Sequence, residues 1–158
     1  MDWSGWAIFG LIATAVLTAA MIAAQLAGFT RLDLPLILGT LITPDPDRAR
    51  VFGFFIHLVN GQGFALGYAA AFAALGRATV WMGALLGLVH AVVVLTVIIP
   101  LLVGVHPRLA SARAGLSTGP VLEPPGLLAL NYGRETPVVT TVAHVAYGAA
   151  LGLLLHPR

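Results

Sequence analysis

The sequence predicts an all-α, polytopic integral membrane protein, an up-down-up-down four-helix transmembrane bundle with two longer interfacial loops on one side. The first supporting observation is composition: 59% of the 158 residues are hydrophobic and only 9% are charged, whereas a soluble domain carries about 25% charge. The second is a set of four long apolar stretches, and the third is the length of the loops between them. A water-soluble domain of this size needs far more polar surface, so the apolar residues must face lipid.

Four stretches have the roughly 20 apolar residues that a helix needs to cross a bilayer core. They lie at about residues 6–28, 51–75, 80–103 and 137–155, and the interfacial loops lie at about residues 29–50 and 104–136. No basic residue precedes the first stretch, and its apolar run is too long for a cleavable signal peptide, so we expect it to remain in the mature protein. Residues 1–158 are predicted to form a single transmembrane domain.

The connections set the expected arrangement of the spans. Only about residues 76–79 join the second and third spans, which predicts a tight antiparallel hairpin. Residues 34–42 are apolar but too few to cross the bilayer, which predicts an interfacial or re-entrant segment. The proline-rich end of the last loop is expected to fold back on the membrane surface, with Thr136 capping the fourth helix and Pro137 in its first turn.

Arginine placement predicts the orientation. The first and third loops contain Arg31, Arg48, Arg50, Arg108, Arg113 and Arg134. The opposite side has only Arg77 and Arg158. Because basic residues are retained on the cytoplasmic side, both long loops are predicted in the cytoplasm and both termini outside, in a bacterial inner membrane.

Composition also excludes several functions. The chain contains no Cys, which excludes disulfides, thiolate metal sites and cysteine nucleophiles. Its net charge of +2 comes from scattered residues, so no nucleic-acid partner is expected. No phosphate loop, zinc-protease helix or nucleophile elbow is present, and the acids lie outside the spans. We therefore expect no catalytic residue and no stand-alone enzyme activity.

Three histidines within the spans are the most informative residues, because ionisable side chains in hydrocarbon are costly and usually face the bundle interior. His57 precedes Gly61 by four residues, as His144 precedes Gly148, so each pair shares a helix face. At about 1.5 Å of rise per residue, both histidines lie roughly 10 Å inside the same membrane face. His90 lies nearer the middle of the bilayer.

Two histidines at equal depth on diagonal helices could ligate one haem b iron from both sides, with glycines leaving room for the porphyrin. A transition metal ion is equally consistent with these ligands, and His90 is a candidate third ligand or proton-relay group. The candidate metal ligands are His57, His90 and His144. The candidate cofactor-binding residues are these three with Asn60, Gly61 and Gly148. Such a protein would serve electron transfer or anchor a larger redox complex.

Three alternatives stay open. Histidines among small residues can simply hydrogen-bond between packed helices. His90, Asn60, Thr14 and Thr18 could instead line the path of a small-solute or proton channel or transporter. The glycine stripes could pack against partner helices in a structural or assembly subunit, with membrane lipid, a membrane-protein complex or a second copy as partners. Gln62 is expected to point elsewhere, toward a subunit partner, and His106 and His156 are expected at the interface.

Several strings recur at helical spacing along most of the chain. They are His57-x-x-x-Gly61 followed by Gly67-Tyr68, Gly83-x-x-x-Gly87-x-x-His90, and Ala143-His144-x-x-Tyr147-Gly148-x-x-x-Gly152. In these strings the chain resembles a broad group of small, uncharacterised bacterial inner-membrane proteins with four spans. The resemblance implies the architecture and no activity.

Overall fold

The computed structural model describes residues 3–109 and 122–155. Its elements are α1 (Trp3–Leu26), α2 (Leu34–Gly39), α3 (Pro46–Leu75), α4 (Val80–Val93), a π-helical turn (Val94–Ile98), α5 (Ile99–Val105), a 3-10 helix (Leu127–Tyr132) and α6 (Thr136–Leu154). Within the described ranges, β-structure is limited to an isolated bridge between Leu109 and Leu122. Arg113, Arg158 and His156, used in the sequence argument, lie outside these ranges.

Four helices are long and apolar enough to cross a membrane, which confirms the all-helical prediction. They are Ser4–Leu26, Pro46–Leu75, Val80–Val105 and Thr136–Leu154. The third runs through α4, the π-helical turn and α5. The second begins earlier than predicted, because Asp45 accepts hydrogen bonds from the amides of Asp47 and Arg48 and Pro46 suits a first helical turn.

Helix α4 packs most closely against α6, through glycines on both helices. A methyl group added at Gly83 would overlap the carbonyl oxygen of Gly148, and one added at Gly87 would overlap that of His144. Helix α1 lies between α3 and α6 and contacts both. Contacts between small residues let helix backbones approach closely, which is how these glycines set the order of the bundle.

The predicted tight packing of the second and third spans is wrong. The connection at residues 76–79 is as short as expected, and Gly76 ends α3 with φ +67°. However, the backbones of α3 and α4 do not pack closely, and side chains make the contact between these helices. The glycine face of α4 is engaged by α6 instead, so a gap opens between α3 and α4.

Residues 34–42 form a short helix and a turn that pack against the start of α3. Asp33 caps α2 by accepting from the amide of Leu36, and it also pairs with Arg50 of α3 at 2.9 Å. A methyl group added at Gly39 would overlap the backbone of Ala49. This segment therefore covers one end of the space between α1 and α3.

Two local predictions are corrected by the observed hydrogen bonds. Thr136 is the first residue of α6 rather than its N-cap, which is Glu135, and the Thr136 hydroxyl lies 2.7 Å from that of Thr30. Gln62 points to α1 rather than to a partner subunit. Its side-chain amide nitrogen donates to the carbonyl of Ala7 at 2.9 Å, and the indole of Trp6 donates to the backbone carbonyl of Gln62 at 3.0 Å.

Candidate functional site

Histidines from three different helices line one interior cavity of about 110 Å³. We call it the His cavity. His57 comes from α3, His90 from α4 and His144 from α6. Thr140 and Tyr147 of α6 also line the cavity, and the remainder of its wall is mostly apolar. The described residues that line it include no Asp, Glu, Lys or Arg.

Aromatic rings surround His90. Its ring lies 4.6 Å from that of His144, edge to face, and 4.0 Å from that of Phe64, measured between centroids. The rings of Tyr68 and Tyr147 lie 6.0 Å and 5.9 Å away. The Phe64 ring is closer than usual and the other three separations are within the range of favourable aromatic contacts, so His90 is held in a packed aromatic wall.

The free nitrogen of His90 is the first unusual feature of the cavity. Its Nδ1 lies 3.4 Å from the hydroxyl of Tyr68. Its Nε2 is buried and has no hydrogen-bond partner in the part of the chain that the structure describes. Buried polar groups are almost always paired, since an unpaired one costs about 1–3 kcal/mol. This nitrogen therefore lacks the partner that a buried polar atom normally has.

Thr140 carries the second unpaired group. Helical threonines commonly bond back to the preceding turn, as Thr14 does to Gly10 and Thr141 to Pro137, both at 2.8 Å. Thr140 is only 2% exposed, yet its hydroxyl has no partner among the described residues. Two residues that line the His cavity, His90 and Thr140, thus each carry a buried polar atom without the partner that such groups normally find.

His144 and Tyr147 are fixed by backbone hydrogen bonds. His144 Nδ1 donates to the carbonyl of Thr140 at 2.8 Å, which leaves its Nε2 without a proton when the ring is neutral. The Tyr147 hydroxyl donates to the carbonyl of Gly61 at 2.6 Å. The second bond joins α6 to α3 and forms part of the cavity floor.

A larger cavity of about 300 Å³ adjoins the His cavity between α1 and α3. His57 lines both spaces, as do Leu17 and Met21 of α1. The outer end of the larger cavity contains the Asp33–Arg50 ion pair. The His57 side chain therefore lies between a charged rim and an uncharged interior.

The remaining predicted site residues have different roles. Asn60 lines the His cavity but is exposed, at its edge. Gly61 and Gly148 are packing positions, because methyl groups there would overlap Thr14 and the carbonyl of Gly83. The space that we expected beside these glycines for a porphyrin is filled by neighbouring helices.

A metal or haem finds little support in this geometry. Among the described residues, no three His, Asp or Glu side chains are grouped so that they could hold a metal ion. The His cavity of about 110 Å³ is also far smaller than a haem macrocycle.

His106 does not join the other histidines. Its Nε2 donates to the carbonyl of Ile37 at 2.9 Å, and its Nδ1 accepts from the amides of Arg108 and Leu109, each at 3.1 Å. All its hydrogen-bonding capacity is thus used in tying α2 to the residues after α5. Burial lowers the pKa of His106, and the nearby Arg108 lowers it further, although the bond to Ile37 opposes the shift.

Sequence reasoning missed Thr140 and Phe64 as site residues. Thr140 lies four residues before His144, and Phe64 seven residues after His57, so helical periodicity could have placed both on the histidine faces. The sequence gives no sign that the Thr140 hydroxyl lacks a hydrogen-bond partner.

Comparison with protein-family models, curated proteins and solved structures finds no match to this chain.

Proposed function

We propose that this is a multi-pass protein of a bacterial inner membrane, with four spans in up-down-up-down order and both long loops in the cytoplasm. The four long helices support insertion, because large apolar side chains cover their outer surfaces. Trp81 is 84% exposed, Leu101 65% and Leu85 62%. Such a surface is stable in lipid and would aggregate in water. The excess of arginine in the two long loops supports the orientation.

We further propose that the protein binds a small, uncharged, hydrogen-bonding organic ligand in the His cavity. The observation that carries this proposal is the pair of buried, unpartnered atoms, Nε2 of His90 and the hydroxyl of Thr140. A ligand that hydrogen-bonds to both would remove the cost of leaving them unpaired. The cavity lining contains no charged side chain, and burying an unpaired charge in such surroundings is very costly, so the ligand is uncharged.

A transition metal ion is the second candidate, and one contact favours it. His144 donates from Nδ1 to a backbone carbonyl and directs Nε2 elsewhere, as metal-ligating histidines commonly do. The visible spectrum and elemental analysis of detergent-purified protein separate the candidates. The organic-ligand proposal expects no Soret band and no stoichiometric metal. A stoichiometric metal that is lost on replacing His90 and His144 would establish the metal instead.

Benzyl alcohol is a suitable probe, because it joins a benzene-sized ring to a hydroxyl that can donate or accept. We expect it to raise the thermal unfolding midpoint of the purified protein, since a ligand that binds only the folded state stabilises it. The His90→Leu/Thr140→Val variant keeps both side chains close to their original volumes and removes both unpaired atoms, so it should lose this shift.

Thr141→Val is the matched control, because the Thr141 hydroxyl is already bonded to Pro137. It should retain the shift produced by benzyl alcohol. The proposal fails if the wild type shows no shift, or if the double variant shows the same shift as the wild type. Comparing the three proteins in one detergent also removes any effect of benzyl alcohol on the micelle.

A further inference from the structure

At its loop end, the His cavity is lined by side chains of α2 and α5. Leu34 and Leu38 of α2 line it there, and so do Ile99 and Leu102 of α5. We call these four side chains the cavity roof. The backbone of α2 packs closely on α3 but not on α5. Whether the roof stays closed therefore depends on the bonds that tie α2 to α5.

His106, the residue that follows α5, makes the tie. Its Nε2 donates to the carbonyl of Ile37 in α2 at 2.9 Å, and its backbone amide donates to the carbonyl of Leu102 in α5 at 2.8 Å. The guanidinium of Arg108 donates to the carbonyl of Thr40, the residue after α2. His106 is only 4% exposed, so its bonds are shielded from water. The His106 ring and the Arg108 guanidinium together hold the two halves of the roof in place.

This arrangement requires a neutral His106 ring. Its Nδ1 accepts hydrogen bonds from the amides of Arg108 and Leu109, each at 3.1 Å. A protonated imidazole carries a hydrogen on both nitrogens and has no acceptor, so its Nδ1–H would face two other N–H groups. If the ring then leaves its position, the bond to Ile37 is lost. If residues 108–109 leave instead, the bond from Arg108 to Thr40 is lost, so the roof loses a tie in either case.

The charged groups around His106 favour release of a protonated ring. Among the described residues, Arg108 is the charged side chain that acts on the ring, and it repels an imidazolium. The side chains of α2 and α5 are apolar, and the 3-10 helix contains no charged residue. Asp33, which precedes α2, is paired with Arg50 of α3. No described carboxylate forms an ion pair with His106 to stabilise its charge.

We propose that His106 is an acid-sensitive latch, whose protonation frees α2 from α5 and opens the roof of the His cavity on the loop side. The inference rests on the proposed binding function only for what the opening admits, which is the ligand of the His cavity. The latch itself depends on α2, α5 and residues 106–109.

The direction of the pH effect follows from where the proton binds more tightly. Burial lowers the pKa of His106 from 6.5 in the closed structure, whereas a ring released into water has its ordinary pKa. The open state therefore takes up the proton first as the pH falls below about 6.5, and proton uptake shifts the population toward it. The latch is closed at neutral pH and opens in acid.

The chain contains no Cys, so a single introduced thiol reports on the roof. Leu38→Cys places the thiol in the roof, where the native side chain is 8% exposed. Ile42→Cys is the matched control four residues later, at a side chain that is 60% exposed. A water-soluble methanethiosulfonate modifies both variants in detergent. The ratio of the two labelling rates cancels the general effect of pH on thiol reactivity.

We expect the ratio of Leu38→Cys to Ile42→Cys labelling to rise as the pH falls below about 6.5, by up to about tenfold per pH unit, because opening takes up one proton. His106→Asn cannot take up this proton, and its side-chain oxygen can still accept from the amides of residues 108 and 109. In both cysteine backgrounds it should make the ratio independent of pH. His106→Gln, which keeps a donor for Ile37, is a second non-titrating variant and should also give a flat ratio.

Two results would overturn the latch. One is a ratio that stays constant from neutral to acid pH when His106 is present, and the other is an equal rise in the His106→Asn and His106→Gln variants. The labelling requires no ligand, so it tests the latch apart from the proposed function. If the ratio rises as expected but benzyl alcohol does not stabilise the protein, the proposed function fails and the latch stands.

Discussion

The buried hydroxyl of Thr140 is the group that most clearly suggests ligand binding. It has no hydrogen-bond partner among the described residues and so does not stabilise the fold. Thr140→Val replaces its unpaired buried hydroxyl with a methyl group of similar shape. We expect this variant to be more stable than the wild type by about 1–2 kcal/mol, because the cost of an unsatisfied hydroxyl is removed. Unfolding in increasing fractions of a denaturing detergent measures the free energy of unfolding.

Thr141→Val again provides the comparison, since it removes a satisfied hydrogen bond and should leave the free energy of unfolding unchanged or lower. A Thr140→Val variant that is less stable than the wild type would show that the hydroxyl has a structural partner. In that case, Thr140 would give no support to a ligand.

The lowered pKa of His106 predicts that the free energy of unfolding depends on pH. Its folded pKa is lowered from 6.5 because the ring is buried. The unfolded state therefore binds the proton more readily, so the contribution of His106 is complete above about pH 6.5 and is lost as the pH falls toward the folded pKa. His106→Asn should flatten the pH dependence of the free energy of unfolding below about pH 6.5. Identical slopes for the wild type and variant would contradict this account.

Helical spacing was sufficient to predict the convergence of His57, His90 and His144 on the interior. It could not distinguish hydrogen-bonded from unpaired atoms, because that depends on which neighbours each atom meets in the folded chain. His106 illustrates the same limit. Its three backbone partners come from two separate segments, and no local pattern marks them.

At the level of the elements, the glycine contact between α4 and α6 determines the arrangement. Gly83→Ala places a methyl group against the carbonyl of Gly148 and should lower the free energy of unfolding by about 1–3 kcal/mol, the range typical of overpacking. Gly63→Ala is the control at an open helical position. It should raise stability by about 0.5–1 kcal/mol, because alanine is the better helix former.

In a denaturing-detergent titration, Gly83→Ala should lower the free energy of unfolding and Gly63→Ala should raise it. Equal stabilisation by both substitutions would show that α4 and α6 are not closely packed.

The small residues and their spacing could be recognised in the sequence. The partner of each glycine face could not, because the short loop at residues 76–79 made α3 the expected neighbour of α4.

One irregular element lies next to the candidate site. The π-helical turn Val94–Ile98 follows α4 directly, and Val94 and Ile98 line the His cavity. Pro100, two residues beyond it, lacks an amide hydrogen and disfavours regular helical bonding to the preceding turn. The proline was visible in the sequence as a point of interruption, whereas the widened turn beside the cavity was not. Turns of this kind are frequent at functional sites.

For the whole molecule, the successive contacts run from α3 through α1 and α6 to α4. This order leaves the backbones of α3 and α4 apart, with an apolar opening between them that is bordered by Phe64, Tyr68 and His90. Hydropathy alone predicted the four long helices. The opening could not be predicted, because it results from the stronger packing of α4 on α6 rather than from a property of α3 or α4 alone.

Ring nitrogen NMR of the protein labelled at histidine tests the central proposal most directly, with His90 assigned by comparison with His90→Phe. On titration with benzyl alcohol, we expect the Nε2 resonance of His90 to shift and saturate, because this nitrogen gains a hydrogen-bond partner. The resonances of His106, whose nitrogens are already bonded, should stay unchanged. If His90 does not respond, or if His106 responds equally, the binding proposal is contradicted.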